Sequence, residues 1–388
     1  MNRLTCRQLS VMKLVLLSVA VSLASCSGDD SFHFTKGTPV SFIAGTGGGM
    51  LTRTSYSNER SGNSERIDWE PGDLIRIYCG KASEPESKYA DYKVSEGSIT
   101  ADGATSKASI EGLGGIGIRW GNETDAHTFY AVCPSPATPS LLTGGLESDV
   151  LSDGLFDGHV DAVQTPLSVD GTSSPYMAVP DMTSQYMVAA TTVSAGDQDV
   201  VGSDVFLSFQ PIVTAIEFTI QNDYANDGDL QIASVSLESE SHYLYGPFRA
   251  DMTAWSGSGY PSVSSSAFGE SLKGKVVSID FSSFGTGCFS IAKGEQLVLT
   301  FFLLPDSDLD DLTFKITGPG GGWVSTRLAT VGASGYEGLL FPRFKKSFVK
   351  GILVPEGAKW TVKNENVLTP WTLSSETPEG LILGHTGD

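Results

Sequence analysis

Positive charge is scarce in these 388 residues: 25 Lys and Arg stand against 45 Asp and Glu, a formal net charge of −20. Such a chain repels phosphate backbones, which excludes nucleic acid as a partner class. Cysteine is scarce too, and Cys6, Cys26, Cys79, Cys133 and Cys288 are widely spread and odd in number. That is neither a disulfide framework nor a metal pattern. Apart from the leader, no stretch approaches the ~18 apolar residues of a membrane-crossing helix. Amphipathic helices of useful length are missing. His33, His127, His159, His242 and His385 form no HExxH and no Cys/His pair at ligand spacing. There is no GxSxG elbow. Gly112 to Gly117 spells GxGxxG, but Ile118-Arg119-Trp120 does not open a helix to cradle a pyrophosphate, so a glycine-rich turn is expected. Asp306, Asp308, Asp310 and Asp311 lack the glycine and the closing glutamate of a calcium loop and are expected to be a solvated turn. No catalytic, cofactor or metal-binding residue is therefore expected.

What is present begins with an address label. Arg3, Arg7 and Lys13 precede an apolar stretch from Leu14 to Ser25. That is too short to span a bilayer and right for a signal-peptide core. Leu23-Ala24-Ser25-Cys26 resembles the lipobox of bacterial lipoproteins, with residues 1–25 removed and Cys26 acylated. Stable anchoring needs more than one acyl chain, and a triacylated cysteine supplies that. Loss of Arg3, Arg7 and Lys13 takes the formal charge from −20 to −23, so copies repel one another at long range. Any self-assembly must then rest on apolar burial and backbone pairing. Residues 26–38, with Asp29 and Asp30, read as a lipidated polar tether.

The remainder is patterned for strands. Ile216, Phe218 and Ile220 alternate with Glu217 and Thr219, and Leu312, Phe314 and Ile316 with Thr313 and Lys315. Period two with one apolar face marks half-buried antiparallel strands. The apolar run 297–304 fits a strand buried on both faces. Further strands are expected at 40–44, 74–79, 128–132, 187–193, 276–281, 323–329 and 348–354, with 44 Gly and 18 Pro supplying turns between them. Cys79 and Cys133 end apolar runs and are expected as small buried side chains. Residues 45–66 read as an exposed loop and 134–185 as surface excursions. At about 150 residues per domain the length suggests two, 39–197 and 203–388.

Several motifs occur in a telling order: the lipobox and acidic tether; Val40-Ser41-Phe42-Ile43-Ala44; Thr52-Arg53; Trp69-Glu70-Pro71-Gly72-Asp73; Phe129-Tyr130-Ala131-Val132-Cys133-Pro134; and Val205-Phe206-Leu207-Ser208-Phe209-Gln210-Pro211. In that order and spacing the chain resembles the fimbrillin family, the type V pilin group of surface lipoproteins. It departs at Gln210, where the family often has histidine. The resemblance implies an all-β fold of two tandem transthyretin-like Greek-key β-sandwich domains. It implies a structural subunit of cell-surface fimbriae, held at the outer membrane by its lipid and contributing to adhesion. It implies cleavage by an arginine-specific protease at Arg53, with Arg60 and Arg66 as competing sites. The strand carrying Val40, Phe42 and Ala44 would then leave, and a strand from another fimbrial subunit would fill the groove. The donor would be a C-terminal segment; Leu381, Ile382 and Leu383 are apolar and dock either at home or on a partner.

Six tryptophans support a second reading, a non-polymerising outer-membrane surface lipoprotein that binds a glycan or host protein. Trp120 and Trp255 lie in loop-like segments and are the candidates for exposed stacking faces, whereas Trp69 and Trp323 begin strands and are expected in the core.

Overall fold

A computed structural model describes residues 35–46, 55–61, 64–102, 105–135, 141–142, 146–147, 151–195, 204–222, 228–321, 323–327, 341, 343–344, 346–354, 357–361 and 381–382. Among them the chain is all-β, with only short 3-10 turns between strands. No helix among the described residues is long and apolar enough to cross a membrane.

The first sheet uses β1 (Phe42–Thr46), then, after a separate hairpin of β2 (Ser55–Ser61) and β3 (Ser64–Asp68), β4 (Leu74–Tyr78), β5 (Tyr89–Val94), β6 (Thr100–Asp102), β7 (Thr105–Gly112) and β8 (His127–Cys133). Strands Met187–Val193 and Val205–Pro211 complete it. Its order runs β1, Val205–Pro211, Met187–Val193, β8, β4, β5, β7, and β7 pairs back onto β1. The sheet thus closes on itself, and β1 is the stave that closes it. Closure removes the unpaired edges that an open sheet leaves to solvent. Trp69, Ile75, Ile77, Phe129, Leu207 and Phe209 fill the interior.

The second core lies between two sheets. Ile216, Phe218 and Ile220 of Thr214–Asn222 and Leu297, Leu299 and Phe301 of Gln296–Leu303 face Val235, Leu237, Phe314 and Ile316 across it. The inward side chains are those that the period-two pattern marks, and Gln296–Leu303 is buried on both faces over its second half. On its other face Phe302 joins a third core with Tyr78, Val132 and Val188 of the first sheet and Phe156 and Phe248 of a four-stranded sheet. This third core welds the closed sheet to the sandwich through fully buried aromatic rings.

Sheet membership crosses the expected division at 197/203 in both directions. Val205–Pro211 joins the first sheet, whereas Leu155–Val160 pairs with Gly246–Asp251, and Tyr176–Val179 pairs with Gln296–Leu303. The stretch 134–185, expected as surface excursions, therefore holds core-forming strands. Glycine and aspartate interrupt Leu155-Phe156-Asp157-Gly158-His159-Val160, yet Phe156 and Val160 are completely buried. The stretch 45–66 likewise contains the β2–β3 hairpin, not only loop. Cys79 and Cys133 are buried, Cys288 is partly buried, and all three are free thiols.

Candidate functional site

β1 alternates. Val40, Phe42 and Ala44 point inward and are 6%, 2% and 0% exposed, while Ile43 is half-buried. Both edges of the strand are occupied. Val205–Pro211 runs parallel to it, from Phe42 opposite Val205 to Thr46 opposite Phe209. β7 runs antiparallel on the other side, from Phe42 opposite Ile110 to Gly45 opposite Lys107. The pairing extends upstream: the Val40 N–H donates to the Ile118 carbonyl at 2.9 Å, and the Val205 N–H to that of Ser41 at 2.8 Å.

Beneath the strand is an aromatic floor. The Phe42 ring meets Tyr92 and Phe129 edge-on, with centroids 5.3 and 5.2 Å apart. These are the favoured perpendicular geometries of aromatic pairs. The Tyr92 hydroxyl accepts the Ile118 N–H at 2.7 Å, and burial pushes its pKa up to about 12. A cleft of about 580 Å³ flanks the start of β1, between Pro39, Phe42, Glu111, Ile116, Arg119 and Asp204.

Of the residues singled out in the sequence, Val40, Phe42 and Ala44 come together in this slot. Cys26, Arg53 and Leu383 lie outside the described residues. Arg60 and Arg66 are on β2 and β3, with Arg60 opposite Glu65 in the hairpin ladder. Leu381 and Ile382 pair with Trp360 and Lys359 of Gly357–Thr361, at the last position of the sandwich's seven-stranded sheet. Trp120 corrects its expectation: it is 6% exposed and stands edge-on to His127 and Phe129. The loop that carries it folds inward because the Gly121 N–H donates to His127 Nε2 at 3.0 Å. A Cβ on Gly121 would collide with the Lys81 carbonyl. Trp255 is half-buried, with its indole N–H donating to the Ser258 carbonyl at 2.8 Å. Sequence reasoning missed the walls of the slot, β7 and Val205–Pro211. Val205–Pro211 was legible only as a motif shared with the fimbrillin family, and a motif does not name the strand it pairs with.

The acidic turn is a brace rather than a solvated loop. Asp311 is 9% exposed and accepts from the Ser239 and Ser241 hydroxyls and from the Glu240 and Ser241 N–H groups. His242 Nε2 lies 2.9 Å from Asp310 Oδ1, and His242 Nδ1 lies 2.8 Å from the Ser307 hydroxyl. His242, Asp310 and Asp311 offer polar atoms within 4.8 Å of one another. The Asp311 oxygens are satisfied by protein donors, as a buried carboxylate requires. Burial alone would raise its pKa, but the Ser239 and Ser241 donors outweigh it and hold the carboxyl below its ordinary value. A folded-state pKa below the unfolded one adds stability above the unfolded pKa that is lost as pH falls through the folded one. Asp311→Asn should therefore flatten the fall in melting temperature between about pH 5 and about pH 2, compared with the wild type in the same buffers. An unchanged slope would mean that this carboxylate does not contribute to acid sensitivity.

A scan of protein-family profiles and a search of curated proteins find no match. Among solved structures, the chain is similar to a fimbrial assembly protein from Parabacteroides distasonis (11% identity, 84% of this chain and 96% of that one, TM-score 0.36). It is similar to a C-terminally truncated tip fimbrial protein from Porphyromonas gingivalis (8% identity, 84% and 100%, TM-score 0.37). It is also similar to a Bacteroides uniformis protein provisionally described as a cell adhesion protein, at 15% identity over 85% of this chain and 98% of that one, with a TM-score of 0.46.

Proposed function

We propose that this protein is a structural subunit of a cell-surface fimbria. It is exported as a lipoprotein acylated at Cys26, cut at Arg53, and polymerises by exchange of β1 for a strand of another subunit. The observation that carries this reading is the placement of β1: one short strand, apolar on one face, held between β7 and Val205–Pro211.

Departure of β1 together with the residues leading into it would uncover the sites of Val40 and Phe42, each worth about 1.5–3 kcal/mol when fully buried. It would also leave two rows of backbone N–H and C=O groups without partners. A donated strand restores both, which is β-augmentation. Surface ion pairs contribute only ~0–1 kcal/mol, so burial sets the energetics of the exchange. The donor is the C-terminal segment at Leu381–Ile382. Among the described residues it pairs at home along one edge only, with Gly357–Thr361. In this reading partners are other fimbrial subunits, the outer membrane through the lipid, and a host protein or glycan met in adhesion.

Among the arginines, Arg53 is the favoured cut. Arg60 and Arg66 are on strands paired in the hairpin, and backbone pairing disfavours proteolysis there. Treating the full chain with an arginine-specific protease should give one cut at Arg53, followed by SDS-resistant ladders on a gel. Arg53→Ala should abolish both, and Arg60→Ala and Arg66→Ala should abolish neither. Complete cutting at Arg53 with the product monomeric throughout would sink the proposal.

A further inference from the structure

On the outer surface of β1 one position has no side chain, and both neighbouring strands reach toward it. Gly45 faces Lys107 of β7 in register. On the other side Phe206 stands opposite Ile43, two residues earlier, and its ring leans along the strand to lie across Gly45. A Cβ at Gly45 would overlap that ring. The Lys107 ammonium sits 5.6 Å from the ring centroid, within cation–π range. The backbone beneath the ring is pinned, because the Thr191 hydroxyl donates to the Phe206 carbonyl at 2.8 Å. The ring itself remains 40% exposed.

We propose that Phe206 and Lys107 form an external clasp over Gly45 that adds to the hold of burial and modulates how readily β1 leaves its slot. The inference rests on the reading of β1 as the exchangeable strand and adds the control of its release. The inner face of β1 is held by burial, which a mobile solvent-exposed contact cannot regulate. The outer face is held by two exposed side chains from opposite walls, and these meet only because β1 carries glycine between them. Rotation of the Phe206 ring about its own χ angles opens the clasp without disturbing the core.

Hydrogen–deuterium exchange of the uncut full chain tests this. Lys107→Gln should accelerate exchange of the amides at 42–46 by about two- to fivefold, the range of an exposed cation–π contact. Phe206→Ala should accelerate it further, and Gly45→Ala, which displaces the ring without removing it, should match Phe206→Ala. Amides of β4 and β8 should keep their wild-type rates. Unchanged rates at 42–46 in Phe206→Ala, or equal acceleration around the whole closed sheet, would overturn the clasp. The readout is independent of polymerisation. A protein that stays monomeric after cutting but shows the local acceleration would refute the fimbrial reading and leave the clasp standing.

Discussion

Phe42→Ala is expected to cost about 3–5 kcal/mol of folding stability, the range for removing a buried phenylalanine ring. The ring is 2% exposed and meets Tyr92 and Phe129 edge-on, so its loss leaves a cavity that rigid aromatic neighbours cannot fill. Ile43→Ala, on the same strand but half-buried on the outer face, should cost well under half as much. Chemical denaturation of the two variants measures both. Domains commonly have only about 5–15 kcal/mol to spare, so the Phe42 variant should also hold β1 loosely. It should form ladders after cutting faster than the wild type, since the occupant to be displaced is weaker. A cost below about 1 kcal/mol for Phe42→Ala would mean that β1 is not part of the first core, and the slot would not exist.

The second large effect lies in the sandwich. Lys346 Nζ is 2.9 Å from Glu217 Oε2, with side chains only 4% and 6% exposed. The two residues are on parallel neighbours, with Lys346 opposite Ala215 and Glu217 opposite Phe348. Removing one member of a buried pair takes the opposite charge away from the other in a poorly solvated place. Lys346→Met should therefore cost about 3–5 kcal/mol in chemical denaturation. Replacing both members with apolar residues, Glu217→Leu with Lys346→Met, should recover most of that loss, because charge desolvation disappears along with the attraction. If the double variant were as unstable as the single, the cost would belong to packing and not to the lost charge balance. The same pair explains a misleading feature of the sequence. Glu217 reads as the solvent-facing partner of Ile216 and Phe218, yet it is 5% exposed, because a lysine 129 positions later in the chain, Lys346, meets it.

The parts of the slot were unequally legible. Val40, Phe42 and Ala44 could be read as one apolar face from spacing alone, and they occupy one face of the core. The tryptophan that begins the Trp69-Glu70-Pro71-Gly72 turn is buried against Phe209, with ring centroids 5.3 Å apart. Trp120 was misjudged because glycine-rich surroundings resemble a loop at the surface. Here the glycine allows the chain to approach the Lys81 carbonyl and turn the indole inward. Phe206 and Lys107 are an outward aromatic and an outward lysine in ordinary strands, and neither carries any local mark of meeting the other.

By itself the sequence determined the all-β class, the acidic surface charge, the apolar face of β1 and the positions of the strongly alternating or continuously apolar strands, such as Leu74–Tyr78, Met187–Val193 and Gln296–Leu303. These follow from side-chain chemistry and from alternation, which are local properties of a pleated chain. Only the tertiary structure decided that β1 lies between β7 and Val205–Pro211, that Leu155–Val160 belongs with Gly246–Asp251, and that Lys346 neutralises Glu217. An alternating segment states which face is buried but not against which segment, and many strands in this chain present the same pattern. Partner and register are selected by the burial and backbone pairing of the whole assembly at once, which no window of the sequence contains.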